Sequence, residues 1–192
     1  MRARDQPLIV RAYDYEGGWE EQCDALSASL RACNNCGAST PLSLAFAQCD
    51  VTLSLREAPI NGALRDDLAA ARLVLASYCV AENALALRKC EYVFFEELMA
   101  DAAPGTLLIV LEATHRPFAA LVSAARRGVA MTGGCHLEVA CPWVASNKGF
   151  SLCLLKRWSC AADGVDSEAE AARVKLLLER FARDDRSSRA SA

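Results

Sequence analysis

Leu107-Leu108-Ile109-Val110-Leu111 is apolar at five consecutive positions, follows Thr106 and ends at Glu112. Successive side chains of a strand point to opposite faces, so this run leaves neither face for water. A strand buried on both faces suits the centre of a parallel sheet sandwiched between helices. Strand-length runs of the same kind recur along the chain. Pro7 to Tyr13 ends at Asp14, Ser43 to Ala47 precedes Cys49-Asp50, Arg72 to Ser77 precedes Tyr78, and Phe150 to Arg157 comes late. Val129 to Met131 is a shorter candidate.

Helical patterns separate most of these runs. Trp19, Cys23, Leu26 and Leu30 recur at close to the helical period over Trp19 to Cys33, which predicts one buried stripe. Leu64, Leu68 and Ala71 share a face in a shorter segment, and Leu85 to Ala103 is helical in tendency despite the strand formers Tyr92 to Phe95. Pro117 fits the first turn of a helix over Phe118 to Arg127, with Gly128 as its C-cap. No helix separates the last two strand candidates, so an antiparallel pair is expected there, with 133–149 irregular. Ser167 and Glu170 form a capping box for a helix over 167–183, followed by a polar tail over 184–192. The expected fold is therefore α/β: a doubly wound, mostly parallel Rossmann-like sheet over 7–160, with a terminal antiparallel strand pair.

With 192 residues, 53% of them hydrophobic, the chain can bury one substantial core but not two. No apolar run reaches the roughly 18 residues that would cross a bilayer, so no membrane partner is expected. Ten cysteines lie in apparent strands and helices as often as in loops, which reads as free buried thiols and not as a secreted disulfide scaffold. A cytoplasmic location follows, with mitochondria as the alternative if the amino terminus is incomplete. The net charge of −3 gives no global attraction to nucleic acid.

Ligands of open α/β sheets bind outside the carboxyl ends of the strands. That rule selects Asp14, Asp50, Ser77 to Asn83, and Glu112 to His115. An ionised carboxylate can accept from two vicinal hydroxyls at once. Glu82 or Glu112 could accept a proton.

These strand ends, taken in order, resemble those of class I S-adenosylmethionine-dependent methyltransferases entered at their second strand. The likeness runs from Leu8 to Arg157 and rests on Asp14, on Asp50-Val51, on Leu75 to Asn83, on Pro104-Gly105-Thr106 with Glu112, and on the antiparallel finish. It implies a methyltransferase that uses S-adenosylmethionine. Asp14 would then bind the ribose hydroxyls and Asp50 with Val51 the adenine. Ser77 and Tyr78 would complete the cofactor site, Glu82 and Glu112 would be catalytic, and Asn83 and His115 would meet the methyl acceptor. Ser77-Tyr78-x-Val80-x-Glu82, with Glu112, Cys135-His136 and Cys141-Pro142, distantly resembles methyltransferase-like mitochondrial ribosome-assembly proteins.

The sequence departs from the family at one place. The family's Gly-rich loop follows its first strand, yet no glycine precedes Gly17 here. The methyltransferase fold is accordingly expected to be incomplete at its amino-terminal end. Three explanations stand: an incomplete chain, a half-site supplied otherwise, or a noncatalytic domain that binds a protein or ribonucleoprotein partner. Cys33-x-x-Cys36 and the Cys135, His136, Cys141 group could offer metal ligands, but nothing in the sequence makes them converge, and no metal is expected.

Overall fold

The computed structural model of the protein describes residues 8–34, 42–141, 149–159 and Leu176. Its strands are β1 (Leu8–Asp14), β2 (Leu42–Gln48), β3 (Leu73–Ser77), β4 (Leu107–Glu112), β5 (Cys135–Ala140) and β6 (Phe150–Trp158). Its α-helices are α1 (Glu20–Asn34), α2 (Gly62–Leu68), α3 (Cys79–Glu82), α4 (Ala84–Lys89), α5 (Val93–Asp101) and α6 (Phe118–Ala130). The helix expected over 167–183 and the tail beyond it lie outside the described residues, Leu176 excepted.

The strands form two sheets where one doubly wound sheet was expected. β1 and β2 make a parallel pair, and the other strands make a mixed sheet in the order β3-β4-β6-β5. β3 and β4 run parallel, while β6 is antiparallel to both β4 and β5. The alternation of strands and helices thus predicts the α/β class and the antiparallel finish. It does not predict the break, because hydrophobic period reports that a strand exists and not which strand lies beside it.

β4 carries the core. Leu108 and Val110 are wholly buried, as are Leu152 and Leu154 opposite them on β6. Each such side chain contributes about 2 kcal/mol of burial free energy. α5 and α6 cover this face and pack against each other. A Cβ at Gly128 would sit 2.0 Å from the carbonyl oxygen of Glu96, so only glycine permits this approach. Gly128 therefore lies inside α6 as a packing residue and does not cap it. Val129 and Ala130 likewise belong to α6, not to a strand.

The expected single helix over 85–103 is broken. Glu91 and Tyr92 take left-handed φ of 52° and 61°, which ends α4 before α5 begins. The strand formers Phe94 and Phe95 are nonetheless helical, because both side chains are buried in the core. Tertiary burial overrides their β propensity. β5 falls inside the stretch expected to be irregular. Its buried Leu137 and Val139 alternate with half-exposed neighbours, a period-two pattern too short to stand out between Gly133-Gly134 and Pro142.

Lys156 of β6 is almost fully buried. Its ammonium donates to the carbonyls of Met99, Ala100 and Ala102 at 2.9, 2.8 and 2.8 Å, satisfying the otherwise orphaned acceptors at the end of α5. The stripe expected to bury α1 is largely open: Trp19 and Leu26 are exposed and Cys23 is half-buried. Trp158 is also exposed. Of the seven cysteines whose side chains are described, all free, only Cys49 is buried and the rest are half-buried.

Candidate functional site

The carboxyl ends of β1, β2 and β3 converge on one cavity of about 480 Å³. Asp14, Tyr15 and Glu16 line it from the end of β1, and Cys49, Asp50, Val51 and Thr52 from the end of β2. Val74 to Ser77, then Cys79, Glu82 and Asn83, line it from β3 and α3, and Phe94, Phe95 and Leu98 of α5 supply an apolar wall.

Local turn chemistry orients the two aspartates. Asp14 Oδ1 accepts the N–H of Glu16 at 2.9 Å. Asp50 Oδ1 accepts both the N–H and the hydroxyl of Thr52, at 2.8 and 2.7 Å. Each bond uses one carboxylate oxygen to fix a short turn and leaves the other for a ligand. Asn61, fully buried, holds the Asp50 loop from behind. Its Oδ1 accepts the N–H of Asp50 at 2.8 Å, and its Nδ2 donates to the carbonyls of Asp50 and Ser54 at 3.0 and 3.1 Å. In the sequence Asn61 reads only as the first half of an Asn-Gly turn.

Cavity electrostatics are one-sided. Asp14, Glu16, Asp50 and Glu82 line it, and among its described lining residues there is no Lys, Arg or His. The two thiols in the wall stay neutral. Burial pushes Cys49 up to about 12, with Asp50 adding to the effect, and pushes Cys79 up to about 11, with Glu112 adding. Neither is an activated nucleophile at neutral pH.

The structure divides the residues selected from the sequence into two groups. Asp14, Asp50, Val51, Ser77, Glu82 and Asn83 line the cavity. Tyr78, Glu112 and His115 do not; they gather beyond the end of β4, near Gly149 and Phe150. Tyr78 has a left-handed φ of 57°, costing about 1 kcal/mol for a bulky residue, and donates its N–H to the carbonyl of Leu111 at 2.8 Å. Glu112 is buried, with Oε1 accepting the N–H of Val80 at 2.6 Å. The rings of His115 and Phe150 meet edge to face with centroids 5.0 Å apart. Asn83 donates Nδ2 to the carbonyl of Cys79 at 2.8 Å, which commits its amide donor to α3. Tyr15, Glu16, Cys49, Thr52 and the α5 aromatics are among the lining residues that the strand-end rule alone does not select.

Cys135 and His136 are neighbours in β5, so their side chains leave opposite faces of the sheet. Cys36 and the side chain of Cys33 lie outside the described residues. Among the described residues no group of three or more His, Cys, Asp or Glu could hold a metal ion, and no helix is long and apolar enough to cross a membrane.

Fold and site together define an α/β protein with a ligand-sized acidic cavity at the carboxyl ends of its parallel strands. No protein-family model matches the chain, and no curated protein does. Among solved structures it is similar to a DUF574 family protein from Streptomyces avermitilis, at 16% identity and a TM-score of 0.36. That match covers 78% of this chain and 65% of the other, just under two thirds of its length. A superposition this loose assigns neither activity nor ligand.

Proposed function

We propose that this chain is a methyltransferase-like domain whose cavity binds the nucleoside end of S-adenosylmethionine. The observation that carries the reading is the charge of the cavity: four carboxylates at strand ends, with no basic residue among the described lining. Such a wall repels phosphates, which argues against a dinucleotide or a nucleoside triphosphate. It attracts a ligand that combines hydroxyls with positive charge. The residues fit the nucleoside half of the cofactor. Asp14 has a free oxygen for the ribose hydroxyls, the Asp50-Val51 turn offers a carboxylate and main chain to the base, and Phe94 and Phe95 supply an apolar surface.

Bound S-adenosylmethionine would supply an electrophilic methyl group to a nucleophilic acceptor. Ser77 completes the cofactor side in this reading, with Tyr78 outside the cavity, and Glu82 is the exposed candidate proton acceptor. Glu112 acts from behind it, holding the start of α3 in place. Asn83 is the lining residue placed toward the acceptor in this reading, while His115 stands outside the cavity against Phe150. Methyl transfer to an already nucleophilic atom needs mainly alignment, so this site requires no dedicated base.

Calorimetric titration with S-adenosylmethionine, NAD and ATP tests the reading. Binding of the first and not of the other two is expected, with affinity falling about tenfold in Asp14→Ala, the loss of roughly 1.4 kcal/mol of hydrogen bonding to charge. Equal or tighter binding of NAD or ATP, or no binding of S-adenosylmethionine by folded protein, would overturn it.

A noncatalytic interaction domain is the second reading. The exposure of Leu8, Ile9, Leu73 and Leu75 favours it, since apolar strands open to water mark contact surfaces. Association with a protein or ribonucleoprotein that survives Asp14→Ala would support it.

A further inference from the structure

Asp14 and Asp50 each commit one carboxylate oxygen to a turn, but the other two acidic residues of the cavity do not. The side chains of Glu16 and Glu82 are exposed and have no hydrogen-bond or ion-pair partner among the described residues. Their main chains are nonetheless fixed. The N–H of Glu16 donates to Asp14 Oδ1 at 2.9 Å, and Gln48 Nε2 donates to the carbonyl of the preceding Tyr15 at 3.1 Å. Glu82 closes α3, which Glu112 holds at the N–H of Val80 and Asn83 holds at the carbonyl of Cys79. Two anchored segments thus bring unpaired charge of one sign to one cavity.

That charge reaches the cavity wall. Burial pushes the thiol of Cys79 up to about 11, with Glu112, Glu82 and Asp14 adding to the rise. Burial likewise pushes Cys49 up to about 12, with Asp50 adding. No cation among the described lining residues offsets this field. S-adenosylmethionine and its demethylated product differ by one methyl group and one charge. The cofactor's sulfonium and ammonium outweigh its carboxylate, so it is a net cation at neutral pH, whereas the thioether product has no net charge. Methyl transfer breaks the carbon–sulfur bond and leaves its electron pair on sulfur, while the acceptor's lone pair makes the new bond. A site matched to shape alone holds the two nucleosides about equally. A site of fixed negative potential holds the charged one more tightly.

We propose that Glu16 and Glu82 are specificity-determining residues that make the cavity select the sulfonium form of the nucleoside over its neutral thioether product. This rests on the cofactor reading given above. Two exposed carboxylates acting across such a cavity in a water-like dielectric favour the added unit charge by about fivefold. The methyl transfer itself then loosens the nucleoside left in the cavity, and accumulated product competes weakly with fresh cofactor. The discrimination is separate from any part Glu82 takes as a proton acceptor, since it acts on binding before and after the chemistry.

Calorimetric titration of the full chain with S-adenosylmethionine and with S-adenosylhomocysteine tests this. Each is titrated at about 0.01 M and about 1 M salt, between which the screening length falls from about 30 Å to about 3 Å. The ratio of the two dissociation constants is the readout, so a general loss of affinity cancels. The charged form should bind about fivefold more tightly at the lower salt and about equally at the higher. Glu16→Gln combined with Glu82→Gln keeps the side-chain shape and an acceptor at each position while removing both charges. In that variant the low-salt ratio should fall below about twofold. Three results would overturn the inference and leave the cofactor reading standing: product bound as tightly as cofactor at low salt, a ratio that salt does not change, or a ratio that the double variant retains. Folded protein that binds neither nucleoside would overturn both.

Discussion

Glu112, at the end of β4, accepts the N–H of Val80 through Oε1 at 2.6 Å, tying the central strand to the first turn of α3. Its other oxygen is buried with no hydrogen-bond partner among the described residues. Burial raises the pKa of this carboxyl, the N–H groups of Val80 and Ala81 oppose the rise, and Glu82 adds to it. The folded chain thus holds this proton more tightly than the unfolded chain does. The group favours folding at low pH, and that advantage is lost as pH rises from the ordinary carboxyl range through the raised folded value.

Glu112→Gln cannot ionise and keeps an acceptor for Val80. Urea unfolding of both proteins between about pH 4 and pH 8 should show the wild type losing stability relative to the variant as pH rises. Parallel curves would mean that the carboxylate is solvated and α3 is held by other contacts.

Lys156→Met keeps most of the side-chain volume and removes three donors from the end of α5. Burial lowers the pKa of this lysine, yet three carbonyls in bonding distance match the three protons of an ammonium. Leaving those carbonyls without a partner should destabilise the protein by about 3 kcal/mol, read as a shift in the urea midpoint at unchanged slope. A loss below about 1 kcal/mol would show that water replaces the ammonium.

Position 128 tests the packing of α5 on α6. The Cβ of Gly128→Ala would meet the Glu96 carbonyl at 2.0 Å, and main chain cannot yield as a flexible side chain can. The intrinsic gain in helix propensity is about 1 kcal/mol, whereas overpacking costs about 3. A net loss of about 2 kcal/mol is expected by thermal or urea unfolding. A stabilised variant would mean that the two helices stand further apart.

What was legible in the sequence was local. The run through Leu107 to Leu111 marks a central strand because it allows water on neither face, and β4 is one. Asp14 and Asp50 are legible for the same reason, since a carboxylate at the end of an apolar run must lie at the mouth of a sheet. The break between β1 and β3 was not legible, because edge and interior strands of a parallel sheet have the same apolar period. Trp19 and Leu26 are exposed although they belong to such a stripe, because an amphipathic stripe reports a capacity to be buried and the partner surface decides whether it is. Gly128 reads as a cap because it falls at the end of a periodic segment, while its actual role depends on Glu96, 32 residues earlier. Asn61 is the same kind of case within the site.

The Asp50 loop is held from beneath by one amide. Asn61→Ala removes an acceptor from the N–H of Asp50 and two donors from the carbonyls of Asp50 and Ser54, all in a site without exposed surface on Asn61. Buried groups stripped of a partner cost about 1 to 3 kcal/mol each, and partial relaxation of the loop should leave a net loss of about 3. Thr52→Val is the comparison, because it removes only the hydroxyl bond to Asp50 and leaves the Thr52 N–H bond in place. That variant should lose about 1 kcal/mol or less. If Asp50 contributes to the ligand site, Asn61→Ala should also weaken S-adenosylmethionine binding more than Thr52→Val does, since it releases the main chain that carries the carboxylate. Urea unfolding and calorimetric titration of the two variants check both statements together. Equal stability losses would place the support of the loop elsewhere, and a large stability loss with unchanged affinity would remove Asp50 from the site.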